Sequence, residues 1–299
     1  MPKTRKPKRK VPVTVRKGKR SGTRTPGPSG SSKPAATRKV IRRFHILHKR
    51  QAQLQKFLEG DSVELSRQAK DAREELQAIE QEISDMGGLE AYQKMSVIGQ
   101  GNDRGGGSEK VLLEFLEELG YPKDLNEGQR WRVLEVGALK PDNYASCSSW
   151  MDVTPIDLHS RHPDISEQDF LQLDEEENKE KWDVISLSLV VNFVPEPKDR
   201  GRMLQMAHAM LRPNQYLFLA LPLPCILNSR YVTPEHLQGL MTTLSYTEVK
   251  KRWKEGGKMA YWLYQKTESD KDKPDSEFAP YRKKAVVRSG NRNNFSILL

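Results

Sequence analysis

The chain has 299 residues, room for one α/β domain of about 150 to 200 residues with appendages. Its net charge of +10 is uneven: the first 50 residues hold 18 Lys and Arg and no acid, leaving the other 249 with 32 basic and 40 acidic residues, a net of −8. Two cysteines, Cys147 and Cys225, are too few for a zinc cluster and read as reduced bystanders; no apolar run approaches the roughly 20 residues of a membrane span and no signal-peptide core opens the chain, so a soluble intracellular protein is expected.

Residues 1–37 are rich in Pro, Gly, Ser and Thr and poor in large apolar side chains. Such a stretch buries too little surface to offset chain entropy and is expected to be disordered. Within it, Lys6-Pro-Lys-Arg-Lys10 reads as a nuclear or nucleolar address, and an electrostatic arm on RNA phosphate is compatible with that reading. A solvated tail is the bland alternative.

Residues 38–98 form a helical segment. Val40, Phe44, Leu47, Leu54 and Phe57 suggest a first helix, broken at Gly60-Asp61. Leu65, Ala69, Ala72, Leu76, Ile79, Ile83 and Met86 then recur at alternating steps of four and three, one stripe of a second helix. Asp61 or Ser62 caps its start, with Glu64 close behind, and Gly87-Gly88 ends it. A helical hairpin is expected, either packed on the domain that follows or pairing with a partner helix. From residue 99 a glycine-rich loop containing Arg104 leads into a helix over 108–120 with Leu112, Phe115, Leu116 and Leu119 on its apolar face. Arg104 suits a carboxylate or phosphate, although the loop reads equally as a hinge.

Alternating units follow. Strands are expected at 133–137, 151–158, 182–194 with its exit loop, 216–223, 258–266 and 294–299, with 169–173 a short edge strand or the turn after one. Helices are expected at 198–211 and 234–244. This alternation predicts a doubly wound, Rossmann-like, mostly parallel sheet, and two late strands without a helix between them predict an antiparallel hairpin at its edge. The polar stretch at 267–290 is expected to be a mobile insertion between those two strands.

The strongest functional signal is Arg132-Val-Leu-Glu-Val-Gly137, an apolar run ending in glycine, with Asp157 following 20 positions later. A strand that ends in glycine lets a ligand approach the backbone, and an acid at the tip of the next strand can hold ribose hydroxyls. An adenosine cofactor fits this layout, S-adenosylmethionine or a dinucleotide. Gly137 is followed by Ala138-Leu139-Lys140-Pro141, so the spaced glycines of a pyrophosphate cradle are missing.

Leu134-Glu-Val-Gly137, Asp157, Asp169-Phe170 and Met210-Leu-Arg-Pro-Asn214, in that order, resemble the class I S-adenosylmethionine methyltransferases, whose seven-stranded sheet ends in an antiparallel hairpin. More specifically, Arg104-Gly-Gly-Gly-Ser108, Asp142-Asn143-Tyr144, Ile156-Asp-Leu-His-Ser160, Gln168-Asp-Phe-Leu171, Ile185-Ser-Leu-Ser-Leu-Val-Val-Asn-Phe-Val-Pro195 and Asn293-Asn-Phe295 resemble the fungal large-subunit rRNA adenine-N1 methyltransferases of the nucleolus. Animal relatives look like sensors of methionine derivatives. The resemblance covers most of the chain after Lys39. It departs at Gly107, where an acid is expected, and at Ser296, where a cysteine is common. It implies S-adenosylmethionine as cofactor, contacts to it from Gly137, Glu135, Asp157, Asp169, Phe170 and Arg104, an adenine of 25S ribosomal RNA as substrate, a monomer, and a place in the nucleus and nucleolus.

Adenine N1 has a free lone pair at neutral pH, so methyl transfer needs no general base and rests on positioning and desolvation. N1 lies on the Watson–Crick edge, so the base must be unpaired and held by stacking and edge hydrogen bonds. Asn192 and Phe193, in the loop after the strand at 182–188, are the candidates to hold it; a turn residue and a core ring are the alternative roles. Two competing functions stay in view. A sensor that binds S-adenosylmethionine without transfer is disfavoured by the basic arm. Cytosine-C5 methylation needs a cysteine nucleophile, for which only Pro224-Cys225 offers a candidate.

Overall fold

The runs that read as buried strands do so because both faces of the sheet they form are covered. The computed structural model describes residues 34–59, 67–99, 107–123, 128–160, 162–268 and 273–299. Its sheet has seven strands: β1 (Trp131–Val136), β2 (Met151–Asp157), β3 (Ser166–Glu167), β4 (Trp182–Ser188), β5 (Leu211–Pro222), β6 (Tyr246–Arg252) and β7 (Met259–Lys266). They lie in the order β3-β2-β1-β4-β5-β7-β6, with β1 to β5 parallel and β7 antiparallel to both its neighbours. The Rossmann-like architecture expected from the alternation is the one observed.

Strand pleating divides the core in two. Leu134, Val136, Ile185, Leu187, Leu217 and Leu219 point to one face, Val133, Val184, Phe218 and Ala220 to the other. The first face is covered by α6 (Pro197–Met210) and α8 (Pro234–Thr243), the second by α4 (Ser108–Glu118) through Leu112, Phe115 and Leu116. Burial on both faces is why β4 and β5 read as unbroken apolar runs. Short helices α5 (Glu175–Asn178), α7 (Pro224–Leu227) and α9 (Asp275–Phe278) complete the connections.

Three helices precede this sheet: α1 (Pro34–Leu58), α2 (Arg67–Asp85) and α3 (Gly88–Gly99). Leu47 and Leu54 pack against Ala72 and Ile79, and Arg43 and Arg50 form two-pronged pairs with Glu82 and Glu75 at 2.5–2.7 Å. Those pairs are exposed, so the apolar seam carries most of the hairpin's stability. α1 starts at Pro34, inside the expected arm, while residues 1–33 lie outside the described residues, as do Asp61, Ser62, Glu64 and Arg104. Gly87 and Gly88, at φ 87° and 64°, end α2 as expected but lead at once into α3, which the sequence reading missed.

The late strands needed correction. The expected strand at 258–266 pairs with β6, and the expected terminal strand at 294–299 does not form. β6 was hidden by its charges, Glu248, Lys250, Lys251 and Arg252, and by a register shift between Glu248 and Lys250; charged side chains are the pattern of an edge strand. The terminal residues instead lie along α6: Leu298 N–H donates to the Pro197 carbonyl at 2.9 Å, and Phe295 and Ile297 enter the core. Of the segment expected to be a mobile insertion, the described residues from Lys273 onward are fastened. Lys273 Nζ donates to the Thr242 and Thr243 carbonyls at 3.0 Å, and the Arg288 guanidinium donates to the carbonyls of Ile226, Leu227 and Val232. Residues 169–173 form the turn after β3, with a 3-10 turn at Phe170–Gln172. Among the described residues no helix is long and apolar enough to cross a membrane.

Candidate active site

The carboxyl ends of β1, β2 and β4 meet on one edge of the sheet, where open parallel sheets bind ligands. Gly137 follows β1 with φ 77°, a left-handed conformation that glycine adopts without strain. Its N–H and that of Ala138 both donate to the Ile156 carbonyl, at 2.8 and 3.0 Å, which folds the chain sharply off the strand. A Cβ on Gly137 would come within 2.7 Å of Val190 Cγ2, so the absent side chain is also what lets the loop after β4 close in.

Asp157 ends β2. Its Oδ1 accepts the His159 N–H at 3.0 Å and lies 3.4 Å from Gln93 Nε2, which donates more closely to the His159 carbonyl at 2.9 Å. Partial burial raises the Asp157 carboxyl above its usual range, against the lowering effect of the His159 hydrogen bond. A cavity of about 280 Å³ adjoins it, lined by Ala138, Leu139, Asp157, His159, Ser160 and Ile165 from the sheet side and by Glu90, Gln93 and Lys94 from α3. One wall of the adenosine candidate site therefore comes from a helix unseen in the sequence reading. Its signal was present: Leu89, Tyr92 and Met95 recur every three residues and are all at least half-buried.

Glu135 projects from β1 into a closed environment, 8 % exposed. Asn143 Nδ2 donates to its Oε1 at 2.7 Å, and Oε2 is buried without a hydrogen-bond partner. Burial pushes its carboxyl up to about 7; the Asn143 hydrogen bond works against this, and nearby Glu109 adds to it. A buried carboxylate with one unspent oxygen suits a cationic ligand group, whose charge would offset the desolvation. Beside it, Ser108 Oγ at the start of α4 and Ser188 Oγ at the end of β4 are 2.5 Å apart, which ties the end of the glycine-rich loop to the strand edge.

The loop after β4 begins at Leu189, φ 60°, whose N–H donates to the Ala220 carbonyl at 3.0 Å. Phe193 N–H donates to the Val190 carbonyl at 2.8 Å, closing a turn. The turn carries Asn192 inward: it is 4 % exposed, and its Oδ1 has no hydrogen-bond partner. Phe193 is half-buried and lies outside both core clusters of the sheet. Arg200 of α6 fastens the rest of the loop, donating to the carbonyls of Val194 at 2.8 Å and Pro195 at 2.9 Å, and reaches the Ser296 carbonyl at 2.5 Å.

The other candidates are placed less directly. Asp169 Oδ1 accepts the Leu171 N–H at 2.9 Å and so caps the short turn after β3, and Phe170 is 3 % exposed within the core. Cys225 stands at the start of α7, and burial pushes its thiol up to about 11 in spite of nearby Lys49 and Arg200. It is a protonated thiol at neutral pH, unsuited to nucleophilic attack. Among the described residues no group of three or more His, Cys, Asp and Glu converges as metal ligands.

A family model described as 25S rRNA (adenine(2142)-N(1))-methyltransferase, Bmt2, matches residues 77–297. The chain is 34% identical over 303 residues to the 25S rRNA adenine-N(1) methyltransferase of Schizosaccharomyces pombe, covering 97% of this chain and 98% of that one. It is 34% identical over 225 residues to the 25S rRNA (adenine(2142)-N(1))-methyltransferase of Saccharomyces cerevisiae, covering 74% of this chain and 63% of the relative, so that match spans less than two thirds of the yeast protein. Among solved structures, 1,6-didemethyltoxoflavin-N1-methyltransferase of Burkholderia thailandensis, with bound S-adenosylhomocysteine, is 16% identical at a TM-score of 0.39, covering 54% of this chain and 87% of that one. The N-methyltransferase NodS of Bradyrhizobium japonicum is likewise 16% identical at 0.39, covering 54% and 86%.

Proposed function

The chain belongs to the 25S rRNA (adenine-N1)-methyltransferase family, and from that premise we propose that it transfers a methyl group from S-adenosylmethionine to N1 of an adenine in large-subunit rRNA, with Asn192 and Phe193 holding the base. The residues present suit the cofactor. Gly137, at φ 77°, turns the chain sharply off β1, Asp157 stands where ribose hydroxyls can donate to a carboxylate, and the unspent Glu135 Oε2 complements an ammonium group. Asp169 and Phe170, in the turn after β3, are further candidates to contact it. When bound, S-adenosylmethionine supplies a methyl group on a sulfonium sulfur, the sulfur keeping the bonding electrons as adenine N1 takes the carbon.

The protein's own share is orientation. N1 brings its lone pair unprotonated at neutral pH, so no side chain has to remove a proton first, and the lack of a nucleophile or metal set among the described candidates costs nothing. The observation that carries this reading is the buried, unpartnered Asn192 Oδ1 at the end of β4. An orphaned acceptor costs about 1–3 kcal/mol. An adenine whose N6 amino group donates to it recovers that penalty and turns the adjacent N1 toward the donor. Phe193 supplies an apolar face for an extruded base.

The excess of Lys and Arg over acid in residues 1–33 supports both a nucleolar address and RNA contact. The deciding experiment is tritium transfer from labelled S-adenosylmethionine to rRNA prepared from cells without the enzyme, with the product nucleoside identified by mass spectrometry. N1-methyladenosine is expected. Asn192→Ala is expected to lower turnover by a factor on the order of ten to a thousand while cofactor affinity stays within about twofold. A methylated cytosine would end the adenine reading, and no product from the folded wild-type protein would move the assignment to a cofactor sensor.

A further inference from the structure

Phe193 belongs to a row of rings that reaches into the N-terminal helices. Its ring meets Tyr92 of α3 with centroids 4.9 Å apart and planes at 70°, and Tyr92 stacks on Phe44 of α1 at 4.8 Å and 22°. Phe44 continues to His48 at 6.1 Å and 18°. Phe44 is 6 % and Tyr92 9 % exposed. Neither belongs to the seam of Leu47, Leu54, Ala72 and Ile79 that holds α1 to α2. The row is a separate contact, made between the helices and the loop after β4.

α1 crosses that edge of the sheet on other contacts as well. Lys56 Nζ lies 3.3 Å from Glu196 Oε2, the residue before α6. Burial lowers the basicity of His48, and His159 after β2 and neighbouring Lys49 contribute in the same direction. Burial lowers that of Lys49 too, with Arg200 of α6 adding to the effect and Cys225 of α7 opposing it. The helix therefore runs over the segments that follow β2, β4 and β5.

We propose that the N-terminal helices complete the base-binding wall, with Tyr92 as the positioning residue that sets the plane of the Phe193 ring and Phe44 as the brace behind Tyr92. This rests on Phe193 being the surface on which the adenine stacks. A stacked base gains from a ring only if the ring's plane is held, and the loop after β4 has no regular structure to hold it. Arg200 secures the backbone of Val194 and Pro195 but not the ring before them. Tyr92 meets that ring edge-on. On α3 it precedes Gln93, which lines the adenosine cavity, so one turn of helix faces both halves of the reaction. The occupant is a flat heteroaromatic base taken out of an RNA strand, and Tyr92 and Phe44 act on it through orientation.

The test uses the full chain, with kcat and KM for rRNA, cofactor affinity by calorimetry, and thermal midpoint measured for Tyr92→Phe, Tyr92→Leu, Phe44→Leu, Phe193→Ala and the double variant Tyr92→Leu with Phe193→Ala. An aromatic pair is worth about 0.5–1.5 kcal/mol, about two- to tenfold in rate. Tyr92→Leu is expected to lower kcat by that factor with cofactor affinity unchanged, Tyr92→Phe to restore it, and the double variant to be no slower than Phe193→Ala alone. Phe44→Leu, one ring further away, is expected to show a smaller loss in the same parameter and serves if Tyr92→Leu does not fold. Wild-type turnover in Tyr92→Leu, a full multiplicative loss in the double variant, or a drop in midpoint and cofactor affinity with unchanged turnover of the folded fraction would each overturn the bracing role and leave Phe193 in place. Wild-type turnover in Phe193→Ala would instead remove the base-stacking assignment on which it rests.

Discussion

The two walls of the cleft are held in different ways. The strand side of the cofactor wall is local: Gly137, Glu135 and Asp157 sit on or just beyond the ends of adjacent strands, and their positions follow from the β1–β2 register that sets Val136 against Ile156, while α3 supplies the facing side through Glu90, Gln93 and Lys94. The substrate wall is assembled from far apart. Asn192 and Phe193 lie in a loop whose backbone is tied by Arg200 to the last residues of the chain and whose ring is met by Tyr92 of α3, itself stacked on Phe44 of α1. A site built this way should lose base positioning long before it loses its cofactor. The loop after β4 also meets the cofactor strand directly, Val190 Cγ2 filling the space beside Gly137, so there the substrate loop depends on a missing side chain of that strand.

The largest effect should come from cutting the chain after Arg292, which breaks the comparison outright. That truncation removes Phe295 and Ile297, 4 % and 1 % exposed, together with the Ser296 carbonyl that accepts from Arg200 and the Phe295 carbonyl that accepts from buried Ser229 Oγ at 2.6 Å. Two large core side chains at about 2–5 kcal/mol each approach the whole stability of a domain, about 5–15 kcal/mol. Denaturant unfolding is expected to show either no folded protein or a loss on the order of 5 kcal/mol. Equal stability of the truncated and full chains would show the terminal segment to be an accessory.

The same contrast governs what could be read from the chain. Strands β1, β2, β4 and β5 announce themselves because burial on two faces demands unbroken apolar residues, and a ligand at their ends demands a glycine and an acid. Elements that act by contact with a distant partner carry weaker local signals. α3 has 12 residues and follows a glycine pair that reads as a stop, so Tyr92 and Gln93 stayed hidden. β6 has charges where a buried strand has none. The terminal residues Phe295 and Ile297 alternate as a strand would, but Leu298 bonds to the Pro197 carbonyl at the start of α6 rather than to a sheet edge, and alternation alone does not say which surface it packs on.

A smaller effect sharpens the comparison by titrating the cofactor wall alone. Glu135 has its carboxyl raised to about 7, so in the absence of ligand it contributes stability that is fully present below its ordinary range near 4.5 and is lost as pH rises through about 7. A cationic ligand group selects the ionised form and reverses the preference. Cofactor affinity is therefore expected to rise about tenfold between about pH 6 and about pH 8, the window in which the carboxyl ionises. Calorimetry across that range, in buffers matched for ionisation heat, should show the rise in the wild type and a flat profile in Glu135→Gln. A parallel rise in both would place the titrating group elsewhere. Asp157 has its carboxyl raised as well, from a lower starting point, and in Glu135→Gln it remains as the internal control.

The smallest expected effect belongs to Cys225, beside the substrate wall but outside its chemistry. The thiol lies close enough to Lys49 and Arg200 for both cations to favour its ionisation, and burial still holds it at about 11. Attack on a pyrimidine ring carbon needs a thiolate, and at neutral pH this site has almost none. Adenine N1 needs no thiolate at all. Cys225→Ala is expected to keep turnover within about twofold, with the small core change beside Leu223 and Ile226 reported as a slightly lower thermal midpoint. A loss on the order of a hundredfold with cofactor affinity intact, together with a covalent RNA adduct on the wild-type thiol, would transfer the chemistry to the cysteine and leave Asn192 a structural residue of the turn after β4.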